Sequence, residues 1–137
     1  MPAEILDGKA IAKQIQAETK QKVADFVAAG GPQPKLAAVL VGEDPASQVY
    51  VRNKERACKR VGIASELVRM PADSSTETLL KKVRQLNNDA AVSGILVQLP
   101  LPDKIDARLV LDTIDPNKDV DAFHPHNVGL ILSLIHI

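Results

Sequence analysis

Aromatic side chains are nearly absent from this sequence: there is no tryptophan, one tyrosine and two phenylalanines. Any core must therefore be aliphatic, drawn from Val, Ile, Leu and Ala within an apolar content of 45%. A single cysteine, Cys58, excludes an internal disulfide and fits a reducing compartment. No apolar run approaches the roughly 20 residues that a membrane-spanning helix needs. The opening residues, MPAEILDGKA, lack the basic-then-apolar order of a secretion signal. Seventeen basic and seventeen acidic residues cancel, so no overall field draws the chain to nucleic acid or to an anionic membrane. Neither phosphate-cradling pattern, G-x-G-x-x-G or G-x-x-x-x-G-K-[ST], occurs, and there is no G-x-S-x-G nucleophile elbow. Together these features predict a soluble, cytoplasmic protein, and 137 residues fit one domain.

What is present reads as alternating elements. Residues 7–29 carry Ile11, Ile15, Thr19, Val23, Phe26 and Val27 at helical spacing, with Asp7 as N-cap and Gly30-Gly31-Pro32 as terminator. KLAAVLVG, 35–42, is a short unbroken apolar run, as expected of a strand buried on both faces. Asp44 and Pro45 then suit the cap and first position of a helix over 45–61 that stops at Gly62. IASELVRM is a second strand. A helix follows with Ser74 and Glu77 at capping-box spacing. GILVQLP, 94–100, is a third strand ended by Pro100, and 106–114 a further helix. DPNKDVDAFHPHNVG reads as a polar, turn-rich loop, and LILSLIHI as an apolar tail. The alternation predicts an α/β fold: a three-layer domain with a mostly parallel sheet flanked by helices. Ligands of such sheets bind beyond the carboxyl ends of the strands, which singles out the Gly42–Ser47 turn, the Gln98–Pro102 corner and the loop after the last helix.

Three stretches carry candidate chemistry. SQVYVRNKERACKRVG, 47–62, holds Arg52, Lys54, Arg56, Lys59 and Arg60 against one acid, Glu55. Tyr50 and Lys54 stand one helical turn apart. A partly desolvated lysine among cations favours its neutral, basic form, whereas an ordinary solvated basic face has the same composition. Gln98 lies in an otherwise apolar run. It either points into a pocket at the strand end or satisfies loop backbone, since a buried amide left unpaired costs about 1–3 kcal/mol. In the third stretch, Asp115, Asp119, Asp121, His124 and His126 lack the spacing of a calcium loop, and no further zinc ligands lie nearby, so no metal is assigned.

Taken together, VGEDPASQVYVRNKERACKRVGI, GILVQLPLP and PNKDVDAFHPHNVG, with DGKAIA near the start, resemble the N-terminal catalytic domain of the bifunctional methylenetetrahydrofolate dehydrogenase/methenyltetrahydrofolate cyclohydrolase family. The resemblance runs from about residue 3 to about 132. It implies NADP-dependent oxidation of 5,10-methylenetetrahydrofolate, then hydrolysis of the methenyl form to 10-formyltetrahydrofolate, within one-carbon metabolism. By matching motif positions it implies Lys54, Gln98 and Tyr50 as catalytic residues, and Tyr50, Ser47, Gln98, Pro100 and Asp121 as substrate-binding residues. Tyr50 is then the ring that stacks on the substrate, Lys54 the proton carrier, Gln98 the group that orients it and Asp121 the acceptor that holds the pterin. Lys59 and Arg60 keep solvent-facing readings. Arg52 and Arg56 are open between solvent and attraction of the folate glutamate tail or the NADP phosphates.

The family chain is about twice as long. Its NADP site and usual homodimer contact belong to a C-terminal Rossmann domain, so no cofactor is expected to bind this chain alone. Residues 1–132 match the catalytic domain, whereas 133–137, SLIHI, depart from the family's continuation and read as the tail of a truncated product. On that reading the chain has no dehydrogenase activity and at most feeble cyclohydrolase activity. The alternatives are an inactive folate-binding remnant and a basic nucleic-acid-binding module, the latter opposed by the zero net charge and the shortage of stacking groups.

Overall fold

The computed structural model describes residues 7–133. Its elements follow the expected alternation: α1 (Gly8–Ala28), β1 (Lys35–Val41), α2 (Pro45–Val61), β2 (Ala64–Met70), α3 (Thr76–Asn88), β3 (Gly94–Val97), α4 (Ala107–Leu111) and α5 (Pro125–Leu132). The three strands pair in parallel in the order β2-β1-β3. Central β1 is buried on both faces, which is why its sequence is continuously apolar. Ala37, Val39 and Val41 face one way, into a cluster with Leu79, Val83 and Leu86 of α3 and Val110 of α4. Ala38 and Leu40 face the other way, against Val51 of α2. Helices α2 and α3 therefore cover opposite faces of the sheet. Among the described residues no helix is long and apolar enough to cross a membrane.

Local chemistry accounts for the boundaries. Asp7 accepts from the N–H groups of Lys9 and Ala10, and Asp44 from that of Ser47, each fixing a helix start. Gly62 ends α2 in the left-handed conformation (φ 83°), where a side chain would be strained. Four expectations need correction. The cap of α3 is Ser75, which accepts from Thr78 N–H, whereas Ser74 Oγ donates to the Pro71 carbonyl. Strand β3 ends at Val97 rather than Pro100. Gln98 N–H still donates to the Val39 carbonyl (2.9 Å), after which a cis Leu99–Pro100 bond carries the chain off the sheet. Helix α4 stops at Leu111 rather than 114, because Thr113 and Ile114 N–H bond three residues back and tighten the last turn. The 115–129 loop and the tail contain a helix, α5, with His124 as N-cap and Pro125 at its first position. Tail residues 134–137 lie outside the described residues. The apolar stripe of α1 is present but mostly exposed: only Thr19 and Val23 are half-buried, where the helix meets the end of α2.

The segment between α4 and α5 is tied down at three points. Lys118 Nζ donates to the carbonyls of Leu86, Asn87 and Asp89 (2.7–3.2 Å), neutralising the carboxyl end of α3. Ile95 N–H donates to the Lys118 carbonyl (2.7 Å), and Asp119 bridges Ile95 in parallel, adding one rung to the free edge of β3. The Asp119 carboxylate accepts from His124 N–H (2.9 Å) and Asn127 Nδ2 (3.0 Å). Burial acts to raise the Asp119 pKa, but these bonds, with the N–H groups of Phe123 and Asp121, outweigh it and hold the carboxyl below its ordinary value.

The Asp119 contribution is thus present above the unfolded carboxyl pKa and is lost as pH falls through the lower folded value. In urea titrations at a series of pH values, wild type should lose stability below about pH 4 more steeply than Asp119→Asn. Parallel curves would show that the clasp does not stabilise the fold. Leu79→Ala, at a fully buried position, should cost about 2–5 kcal/mol in the same assay.

Candidate functional site

In a parallel sheet, a crevice opens at the carboxyl ends of neighbouring strands whose following helices lie on opposite faces. Here those strands are β1 and β3. A cleft of about 320 Å³ lies there, lined by Tyr50, Lys54, Val97, Gln98, Leu99, Asp121 and Phe123. Its polar residues come from three separate parts of the chain. Tyr50 and Lys54 are one turn apart on α2. Gln98 immediately follows β3. Asp121 lies two residues beyond the Asp119 rung, in the bend that follows it.

The buried ridge of α2 is Ser47, Val51 and Cys58. Tyr50 lies beside that ridge and is 62% exposed. Lys54 is half-buried: it lines the cleft and also the small cavity beneath α2 with Val51 and Leu67. Arg52, Arg56, Lys59 and Arg60 are all exposed and make no ion pair among the described residues. Lys59 and Arg60 occupy the last turn of α2, where cations complement the helix dipole. Burial pushes the Cys58 thiol up, which disfavours the thiolate.

Gln98 is half-buried. Its Nε2 donates to the Leu99 carbonyl (2.7 Å), while Oε1 is buried and accepts no hydrogen bond. One end of this amide thus satisfies loop backbone, and the residue lines the cleft. Ser47 is buried, and its N–H donates to Asp44. That bond holds the Asp44 carboxyl below its ordinary value. Ser47 and the exposed Pro100 do not line the cleft, although Pro100 follows Leu99, which does.

The two aspartates of D-V-D diverge. Asp119 is committed to the loop, whereas Asp121 lines the cleft. Between Asp121 and Phe123, Ala122 adopts a left-handed backbone (φ 55°), unusual for a residue with a Cβ and most often found where a site demands it. Phe123 went unnoticed in the sequence, and its only signal was rarity. His124 Nδ1 caps α5 by accepting from His126 N–H (3.1 Å), so one imidazole has a structural task. Among the described residues no three His, Cys, Asp or Glu side chains are grouped to hold a metal ion.

A dinucleotide needs backbone N–H groups free to meet its phosphates. At the start of α2 those groups are taken by Asp44, next to Glu43, and two carboxylates would repel a pyrophosphate. Ser75 and His124 occupy the starts of α3 and α5.

The sequence matches the family described as tetrahydrofolate dehydrogenase/cyclohydrolase, catalytic domain, over residues 6–121. It is 64% identical to a bifunctional protein FolD of Rhodopirellula baltica over 138 aligned residues, covering 96% of this chain and 46% of that protein. The fold is similar to a 5,10-methylenetetrahydrofolate dehydrogenase from the silkworm Bombyx mori, with a TM-score of 0.90 at 49% identity over 93% of this chain and 44% of that one. It is also similar to the Trypanosoma brucei methylenetetrahydrofolate dehydrogenase-cyclohydrolase complexed with NADP and an inhibitor, with a TM-score of 0.87 at 39% identity over 96% of this chain and 46% of that one. The chain spans a little under half the length of the relatives it matches. With the family match covering most of its residues, and a relative so close over nearly all of them, this chain belongs to the tetrahydrofolate dehydrogenase/cyclohydrolase family, within its catalytic domain.

Proposed function

We propose that the cleft binds the folate of a methylenetetrahydrofolate dehydrogenase/cyclohydrolase and carries the proton-transfer groups of the hydrolytic step. The observation that carries this reading is the convergence of Tyr50, Lys54, Gln98 and Asp121 on one crevice at the reversal point of the sheet. Tetrahydrofolates present a hydrogen-bonding pterin edge, an aminobenzoyl ring and an anionic glutamate. Asp121 accepts from the pterin amino and ring N–H groups, a charge-assisted pairing that sets orientation. Tyr50 offers an exposed ring face to the aminobenzoyl group.

In the hydrolysis, water adds through oxygen to the cationic methenyl carbon. Lys54 is the residue to which we assign removal of the proton that this water gives up. The resulting hydroxyl adduct collapses with cleavage of the carbon bond to N5. The hydroxyl proton passes to N5, leaving a formyl group on N10, so that one proton is released overall. Gln98 orients the lysine through its free amide oxygen. The oxidation needs a hydride acceptor that these residues do not fit. The acceptor in the trypanosomal relative is NADP, and we assign its binding to the part of a full-length protein that this chain does not span.

Three outcomes test the reading. Calorimetry should show folic acid binding to the 137-residue chain, and Asp121→Ala should weaken it by roughly tenfold or more, the scale of a lost charge-assisted hydrogen bond. Wild type and variant binding equally would remove Asp121 from the site. Supplied with methylenetetrahydrofolate and NADP, the unfused chain should form no NADPH, and a measurable rate would contradict the cofactor assignment. Fused to the remaining half of the Rhodopirellula relative, it should hydrolyse methenyltetrahydrofolate, and Lys54→Met should lower kcat by about 10²–10⁴-fold, the range for a lost general base. An unchanged kcat would exclude Lys54 as the base.

A further inference from the structure

The sequence holds three aromatic residues, and two of them, Tyr50 and Phe123, line the same cleft. The third, Phe26, lies over Gly31 at the end of α1. Phe123 is 48% exposed in a chain whose core is otherwise aliphatic, so its ring is held partly in water without completing the core. The backbone around it is unusually specified. Asp119 gathers the N–H groups of Asp121, Phe123 and His124, and the left-handed turn at Ala122 lets both Asp121 and Phe123 line the cleft. A non-glycine residue in that conformation costs on the order of 1–3 kcal/mol and persists where its surroundings dictate it.

We infer that Phe123 is a specificity-determining wall of the site, covering one face of the planar ring whose edge Asp121 holds. This rests on the folate reading and extends it. Asp121 and Phe123 leave the same short loop, two residues apart, so the ring reached by one is reached by the other. Under that reading it is the pterin. Tyr50 approaches from α2, a different element, and takes the aminobenzoyl ring. The cleft then grips the two ring systems of its ligand separately, and Phe123 discriminates for a flat bicyclic ring beyond whatever Asp121 contributes by hydrogen bonding. An aromatic face on a planar ring contributes about 0.5–1.5 kcal/mol beyond the area it covers.

The test compares folic acid with p-aminobenzoylglutamate, which lacks the pterin, by calorimetry on the 137-residue chain. Phe123→Ala should raise the Kd for folic acid about tenfold, the combined effect of lost stacking and lost apolar cover. It should change the Kd for p-aminobenzoylglutamate less than about twofold, within ordinary surface effects. Phe123→Tyr, which keeps the ring, should restore folic acid binding. The inference is overturned if Phe123→Ala binds folic acid as wild type does, or loses both ligands equally, which would mark a structural role. A wild-type chain that binds neither ligand removes the folate reading itself and this inference with it.

Discussion

Burial of β1 on both faces is the constraint from which the rest of the molecule follows. A seven-residue strand whose alternate side chains must all leave water needs a helical layer on each side. Helix α2 supplies one layer on the way to β2, and α3 the other on the way across to β3. The chain therefore runs out to β2 and then back past β1 to β3. Helices bound for opposite faces separate where β1 and β3 end, and the crevice is the geometric result. In this fold the candidate site arises from covering an apolar strand twice.

The crevice alone has no chemistry on its outer side. That side comes from the segment after α4, which without anchors would be a mobile surface loop. Lys118 and the Ile95 pairing convert part of it into an extra rung of the sheet, and the Asp119 carboxylate closes the turn that follows. Each anchor uses a polar group to satisfy backbone that would otherwise be unpaired. The result is a short anchored projection that carries Asp121 and Phe123, opposite an α2 that packs on the sheet through Val51. Positioning supplies much of the rate in reactions that must align a ligand carbon with a second reactant, and such anchoring suits that need.

Most of the framework was legible from residues alone because its signals are local. KLAAVLVG bounded by Pro34 and Gly42, the Asp44-Pro45 start and the Gly62 stop all act within a few residues. Helix α5 was hidden because its His124-Pro125 start lies in a polar stretch that reads as loop by composition. The roles of Asp119 and Asp121 could not be separated by pattern, since the difference arises from a bridge to Ile95, far away in sequence. Tyr50 and Lys54 as helical neighbours followed from spacing, but their placement with Gln98 and Asp121 needed the family resemblance and then the fold. Phe123 and the left-handed Ala122 left no periodic trace, because each is set by tertiary contacts of one loop.

The central claim is one of location: the ligand sits at the carboxyl ends of β1 and β3. The chain offers an internal control, an apolar cavity at the opposite ends of those strands lined by residues including Pro34, Leu36, Cys58 and Ile63. Amide chemical shifts followed during a folic acid titration of isotope-labelled protein decide between the two. Saturable shifts are expected at Tyr50, Lys54, Gln98, Asp121 and Phe123, with Leu36, Cys58 and Ile63 unmoved. Saturable shifts confined to Leu36, Cys58 and Ile63 would contradict the claim.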